Sequence, residues 1–322
     1  RLIYRLLHIT SRLLMPVWVR KIRIQNPERM QEKGPLLLAC NHPNSALDGI
    51  VLDTLFDIPL HSLARGDAFK KPFVNKFLHK INLLPVYRTS EGVENLGHNY
   101  ATFDACKKIF EQHGSVIIFS EGKCINEWHL RPLKKGTARL AISSWDQNIP
   151  LRVLPVGLNY SSFKHFGKNI ILTFGTPIEK HHIPSSDTSD GARNLAFNAL
   201  LEAQLKSMVY EIPKEDKAQL AEKLGIKVPL WQKILFAPFA LAGVILHAPI
   251  YQPLKKLAKS KAGHTDHYDS VLNGLLLLLY PVYLLLFTLI AGLILKTWYA
   301  LTLFLILPLT ARAAVQLNTQ TG

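Results

Sequence analysis

A histidine and an aspartate carry the clearest chemical signal in this sequence. Residues 41–48 read Asn-His-Pro-Asn-Ser-Ala-Leu-Asp, so His42 leaves a short apolar run and Asp48 stands where a helix can begin. A carboxylate bonded to one imidazole nitrogen lets the other nitrogen take a proton from a hydroxyl. The pair is therefore a candidate general base. The alternative is a turn in which Asn44 or Asp48 only caps the helix.

Charged residues also follow two other apolar runs. Glu121 and Gly122 come directly after 115–119, and open α/β sheets bind ligands at such strand ends. Cations beside a helix start can bind phosphate. The candidate cations are Arg88, which follows the run 83–87, and Arg131, Lys134 and Lys135, which precede a helical pattern. A solvated basic surface is the alternative for each of them.

The elements that must position these residues alternate between short apolar runs and amphipathic stretches. The sequence predicts strands at 36–40, 61–64, 83–87, 115–119, 152–158 and 170–174, and helices at 48–57, 68–81, 93–113, 136–147 and 188–211. This alternation is typical of an α/β domain with a central, largely parallel sheet flanked by helices. We expect this domain to occupy residues 25–215.

The N-terminal segment 1–24 has the pattern of an amphipathic helix. Its basic face holds Arg1, Arg5, His8 and Arg12, and its apolar face holds Leu2, Leu6, Ile9, Leu13 and Val17. Basic amphipathic helices bind anionic membrane surfaces. We expect a membrane-surface helix, with a helix packed on the domain as the alternative.

The C-terminal region 216–322 predicts membrane helices. Residues 271–295 form an uncharged run that is long enough to cross a bilayer. Residues 297–311 form a second uncharged run after Lys296. We expect a helical hairpin over 271–311 and a re-entrant or spanning segment at 234–250. The lysines of 251–270 favour a catalytic domain on the cytoplasmic face of a bacterial inner membrane or an ER-type membrane. A buried hairpin in a soluble protein is the alternative.

The composition narrows the class of partner. The 322 residues are 48% hydrophobic and carry a formal net charge of +15. No nucleic-acid-binding motif accompanies this charge, and lysines and arginines flank apolar segments, so an anionic membrane is the better explanation. The three cysteines form no CxxC pair, so we expect no metal site. Cys40, beside His42, is either a thiol nucleophile or a small buried strand residue, and we favour the latter.

Six ordered blocks within residues 25–180 resemble the PlsC-type glycerolipid acyltransferases, the glycerol-phosphate and lysophospholipid acyltransferases. The blocks are Asn41-His42 with Asp48, Pro85-Val86-Tyr87-Arg88, Phe119-Ser120-Glu121-Gly122, Leu133-Lys134-Lys135-Gly136, Leu154-Pro155-Val156 and Phe174-Gly175-Thr176-Pro177-Ile178. The resemblance implies a glycerol-phosphate-acyltransferase-like fold. It also implies transfer of a fatty acyl group from acyl-CoA or acyl-carrier protein to a lipid hydroxyl, with no cofactor.

The resemblance also implies roles for individual residues. His42 would be the general base and Asp48 would orient it. The substrate would be bound by Asn41, Arg88, Glu121, Gly122, Lys123, Lys134, Lys135 and Pro155. Backbone amides near Gly122 or the His42 turn would stabilise the oxyanion.

Two departures from the usual blocks bear on the substrate. Five residues, Pro43 to Leu47, separate His42 from Asp48, where four are usual. Cys124 stands where an arginine is common, and Lys123 can replace its charge but not its bidentate geometry. A non-phosphate acceptor such as a lyso-aminolipid therefore stays open, as do a non-catalytic membrane scaffold with this fold and a homodimer formed through the membrane helices.

Overall fold

A computed structural model describes residues 2–87 and 97–321, which form ten α-helices and seven strands. The elements are α1 Leu2–Trp18, β1 Val19–Gln25, β2 Leu36–Cys40, α2 Ala46–Leu55, β3 Leu60–Arg65, α3 Pro72–Lys80, β4 Leu83–Val86, α4 His98–Glu111, β5 Ser115–Phe119, α5 Lys135–Asp146, β6 Arg152–Tyr160, β7 Lys168–Phe174, α6 Asp190–Met208, α7 Lys217–Leu224, α8 Leu230–Ala262, α9 Tyr268–Leu295 and α10 Leu303–Leu317.

The described strands form one mixed sheet in the order β1-β7-β6-β2-β5-β3-β4. Every neighbouring pair is parallel except β6 and β7, which are antiparallel. The predicted fold class, a largely parallel sheet flanked by helices, is confirmed. Each of the six predicted strands overlaps an observed one.

The central strand β2 shows why this sheet needs helices on both faces. All five of its residues are buried, and they alternate between two apolar layers. Leu36, Leu38 and Cys40 pack in the layer that includes residues of α1, α2 and α7, whereas Leu37 and Ala39 pack against α4, α5 and α6. A strand buried on both faces is a continuous apolar run, as in other parallel sheets.

The N-terminal helix ends earlier than the sequence analysis predicted. Residues 19–24 are not helical, because Val19–Gln25 form the edge strand β1 beside β7. The reason is the period-two pattern of this segment, in which Ile22 and Ile24 face the core and Lys21 and Arg23 face outwards. Arg1 lies outside the described residues.

Helix α1 packs on the domain through its polar face. The Tyr4 hydroxyl donates to Asp53 of α2 at 2.6 Å, and His8 Nδ1 lies 3.0 Å from the other Asp53 oxygen. The apolar face is directed outwards, where Leu2, Leu6, Ile9 and Leu13 are all more than half exposed.

Three C-terminal helices, α8, α9 and the segment 298–317, are long and apolar enough to cross a membrane. Residues 234–250 lie within the single continuous helix α8, and whether this segment is re-entrant or spanning stays a prediction. Helix α9 ends at Lys296, which adopts a left-handed conformation (φ 51°), and a short 3-10 turn leads into α10. The hairpin over 271–311 stays a prediction.

Candidate active site

The ends of β2 and β5 bring the predicted catalytic residues together. These strands are parallel neighbours, and Cys40 pairs with Phe119 at their carboxyl ends. The chain segments that leave the two strands therefore start side by side at one edge of the sheet. His42 and Glu121 each stand two residues beyond this pair and meet there, since the His42 N–H donates to Glu121 Oε2 at 2.7 Å.

His42 and Asp48 form a hydrogen-bonded pair. His42 Nδ1 lies 2.8 Å from Asp48 Oδ2, and the same oxygen accepts the N–H of Asn44 at 2.9 Å. Asp48 is fully buried, whereas the imidazole keeps 18% of its surface exposed and stacks on Phe119 with ring centroids 3.9 Å apart. A carboxylate at Nδ1 holds the proton there and places the lone pair on Nε2. The geometry is that of an oriented general base.

Glu121 joins two segments of the site. Its Oε1 accepts the N–H of Arg131 at 2.8 Å, so one buried carboxylate holds both the His42 turn and the segment before α5. Burial raises the pKa of Glu121, and the two backbone hydrogen bonds oppose this rise. Gly122 has φ +70°, and an added Cβ would lie 3.0 Å from Lys134 Cγ, so glycine fits both the backbone and the space.

Asn41 and Pro155 connect the end of β2 with its neighbour β6. The Asn41 amide donates to the Leu158 carbonyl at 3.0 Å and accepts the Leu158 N–H at 2.8 Å, so the side chain continues the pairing of β2 with β6. It is only 2% exposed. Pro155 is buried in β6 opposite Ala39. Asn41 directly precedes His42, and the predicted substrate contacts of both residues stay predictions.

The predicted cations surround the site less closely. Lys123, Lys134 and Lys135 are exposed beside the Glu121 segment, with the Lys134 N–H bonded to the Ser120 carbonyl at 2.8 Å. Arg88, the predicted anion ligand after β4, lies outside the described residues.

The cysteines near the site have the properties of buried structural residues. Cys40 is fully buried, and burial raises its thiol pKa well above the usual value. The favoured interpretation of Cys40 as a small buried strand residue is confirmed. Cys124 is also buried, and its Sγ accepts the Ser45 N–H at 2.9 Å. A nucleophilic cysteine needs a thiolate, which these environments disfavour.

The start of α9 contributes residues that the sequence analysis missed. Asp269, 1% exposed, accepts the Asn44 side-chain amide at 2.8 Å, and Ser270 Oγ accepts the Leu47 N–H at 3.1 Å. Asp269 also pairs with Lys168, which is fully buried at the start of β7. The signal available in the sequence was Lys168 itself. A lysine leading directly into the apolar run 169–174 needs a buried counter-charge, although its partner stands about a hundred positions away.

The buried Tyr160 hydroxyl is a further group beside the pair. Burial raises its pKa well above 10, and the neighbouring Asp48 and Asp269 carboxylates add to the rise. Tyr160 therefore stays protonated near Asp48.

Comparisons with known proteins found a family model and several relatives that match the sheet domain. Residues 21–159 match the family model described as Acyltransferase. The chain is 28% identical over 167 residues to a 1-acyl-sn-glycerol-3-phosphate acyltransferase of Borreliella burgdorferi, covering 52% of this chain and 62% of that protein. It is 32% identical over 92 residues to glycerol-3-phosphate O-acyltransferase 1 of Saccharomyces cerevisiae, covering 25% of this chain and 12% of that protein.

A solved structure is also similar to this chain. It is the 1-acyl-sn-glycerophosphate acyltransferase PlsC of Thermotoga maritima, with a TM-score of 0.39, 13% identity, and coverage of 59% of this chain and 71% of that one. The chain spans about three fifths of the Borreliella relative and a smaller part of the yeast protein.

Proposed function

We propose that this chain moves a fatty acyl group from an acyl thioester to a hydroxyl of glycerol-3-phosphate or a lysophospholipid, and the match of residues 21–159 to the Acyltransferase family model supports this proposal. The observation that carries this proposal is the buried Asp48 carboxylate at His42 Nδ1, 2.8 Å away, with the imidazole partly open to solvent. Nothing in the packing of the sheet requires such a pair at the end of a strand.

The reaction follows from the pair as a general base. Nε2 of His42 takes the proton of the acceptor hydroxyl as its oxygen attacks the thioester carbonyl carbon, and the imidazolium is stabilised by Asp48. The tetrahedral intermediate then breaks its C–S bond. The thiolate leaves with the proton from Nε2, so His42 returns to its neutral form and the acyl ester is released.

The oxyanion donors in this proposal are the amides of Lys123 and Cys124, since the Gly122 N–H already donates to the Phe119 carbonyl at 3.1 Å. The amides of the His42 turn are excluded for the same reason. The amides of His42, Asn44 and Ser45 already donate to Glu121 Oε2, Asp48 Oδ2 and Cys124 Sγ, respectively. An amide that is already used by the protein is a poor donor to a developing oxyanion.

The acceptor phosphate and the membrane each have a candidate contact surface in this proposal. The exposed Lys123, Lys134 and Lys135 supply positive charge beside the site, and Arg88 is the proposed fourth cation. The exposed apolar faces of α1, α8, α9 and α10 support attachment to a bilayer. The lysines in the last turns of α8 favour the cytoplasmic leaflet.

Acyl transfer by the detergent-purified protein tests the proposal. The wild type and His42→Ala are compared with a labelled long-chain thioester, offered as CoA and as carrier protein, against glycerol-3-phosphate, a lysophosphatidate and a lyso-aminolipid. His8→Ala is the matched control, because His8 also pairs through Nδ1 with an aspartate, Asp53, at 3.0 Å but lies in α1.

We expect product with a phosphate-bearing acceptor from the wild type and from His8→Ala, and none from a folded His42→Ala. Product only with the lyso-aminolipid would replace the proposed acceptor. Equal product from His42→Ala would refute the assigned base, and a well-folded wild type that acylates nothing would favour a non-catalytic scaffold.

A further inference from the structure

The first turn of α9 and His267 before it bind the turn between His42 and Asp48. Ser45 Oγ lies 2.6 Å from His267 Nδ1, and the Asn44 side chain donates to Asp269 at 2.8 Å. Ser270 Oγ accepts the Leu47 N–H and donates to the Asn44 carbonyl, both at 3.1 Å. Three of the five residues between His42 and Asp48 are therefore bonded to groups more than two hundred positions away in the chain.

The anchor of this contact is a buried ion pair. Lys168 Nζ contacts Asp269 Oδ2, and Asn273 donates to Asp269 Oδ1 at 3.0 Å. Burial lowers the pKa of Lys168, and Asp269 opposes this effect. A buried charge that lost its partner would be strongly unfavourable, so the pair fixes where Asp269 stands. The position of the Asn44 side chain is fixed with it.

The Asn44 contact reaches the catalytic pair directly. The backbone N–H of Asn44 donates to the Asp48 oxygen that also accepts from His42. The next residue, Ser45, has φ 54° and ψ −138°, a backbone conformation that a residue other than glycine adopts only when its surroundings hold it. Those surroundings are the Cys124 sulfur at the Ser45 N–H and His267 at its hydroxyl.

We propose that the first turn of α9 is a positioning element for the His42–Asp48 pair, with Asp269 and Ser270 as positioning residues that act through Asn44 and Leu47. The inference rests on the proposed function, which it deepens. Five residues, Pro43 to Leu47, separate His42 from Asp48, and α9 supplies hydrogen bonds to Asn44 and Leu47 among them. The C-terminal helices thus contribute to turnover as well as to membrane attachment.

The test uses single substitutions in the full-length protein. Ser270→Ala removes both hydrogen bonds to the turn, and Ser270→Thr keeps the hydroxyl. Ser144→Ala is the matched control, because it deletes a fully buried hydroxyl that bonds only to Leu140 of its own helix, at 2.7 Å. Asp269→Asn tests the anion that holds Asn44. The readouts are kcat, KM for both substrates, Tm, and hydrogen–deuterium exchange of the peptide that contains residues 42–48.

We expect Ser270→Ala to lower kcat about 10-fold, the effect of losing two neutral hydrogen bonds, with both KM values within about 2-fold. Exchange of the 42–48 amides should rise by a similar factor. Ser270→Thr should restore kcat, and Ser144→Ala should match the wild type. In its folded form, Asp269→Asn should lower kcat more than Ser270→Ala does.

Three outcomes separate this inference from the function on which it rests. Wild-type kcat and exchange in Ser270→Ala would overturn the positioning role and leave the acyltransferase proposal standing. If Tm falls and kcat is lost equally in Ser270→Ala and Ser270→Thr, the contact stabilises the fold through packing and does not position the pair. A wild type without turnover would refute the proposed function, and the exchange comparison would still decide whether α9 orders the turn.

Discussion

Replacing Asp48 by asparagine isolates the charge of the buried carboxylate from its shape. The amide oxygen can still accept the N–H of Asn44 and Nδ1–H of His42, now 2.9 and 2.8 Å from Asp48 Oδ2. The ground state therefore keeps most of its hydrogen bonding. When His42 takes the proton of the acceptor hydroxyl, however, it becomes an imidazolium. In Asp48→Asn this positive charge has no negative charge beside it. The effect belongs to the transition state rather than to substrate binding.

The expected loss of transition-state stabilisation follows from the short distance between the His42 imidazolium and the Asp48 carboxylate. Charges about 4 Å apart interact with about 4 kcal/mol at an effective dielectric constant near 20. The proton is only partly transferred in the transition state, so we take about 3 kcal/mol, which corresponds to roughly a 100-fold fall in kcat. Both KM values should stay within about 3-fold of the wild type.

The assay measures initial rates of acyl transfer in detergent for the wild type, Asp48→Asn and Asp53→Asn. Asp53 is the matched control, because it lies in the same helix and bonds a different histidine, His8, in similar geometry. We expect Asp53→Asn to keep the wild-type kcat. If Asp48→Asn also keeps it, no positive charge develops on His42, and the general-base assignment is wrong. If Tm collapses, the substitution has reported on folding, and His42→Ala then decides the assignment.

Three further predictions concern other parts of the molecule. Glu121→Gln leaves one of two backbone donors without an acceptor, so the free energy of unfolding should fall by about 1–3 kcal/mol in a denaturant titration; an unchanged stability would contradict the bridging role. Leu13→Asp should weaken binding to anionic vesicles at least about 30-fold in a sedimentation assay, the effect of losing one buried leucine side chain. Leu195→Asp is the control, because Leu195 is 73% exposed and Leu13 is 72% exposed. This control should bind as the wild type does, and equal weakening in both variants would exclude α1 as the membrane contact. Cys40→Ala should retain kcat within about 3-fold, because a fully buried thiol with a raised pKa supplies no thiolate; loss of kcat at unchanged Tm would restore the nucleophile hypothesis.

The sequence determined the sheet and the place of the site because both are encoded locally. The run 36–40 is apolar at every position, which indicates a strand buried on both faces, and the polar residues that follow it must lie at the strand end. The blocks at His42 and Glu121 could be assigned to one sheet edge for the same reason. Segment 19–25 was missed as a strand because its basic residues continued the pattern of the preceding helix, and only pairing with β7 distinguishes the two.

The conformation of the His42 turn was decided by tertiary structure alone. Asn44 and Leu47 are bound by Asp269 and Ser270, which stand beyond a helix of 33 residues, and no local pattern indicates that these groups meet. The charge of Lys168 indicates that it needs a buried partner. It does not indicate which of the 23 acidic residues supplies that partner. Hydrogen bonds and ion pairs depend on distances in space. A sequence therefore determines which residues need partners, and the packing of α9 against the sheet domain determines which partners they find.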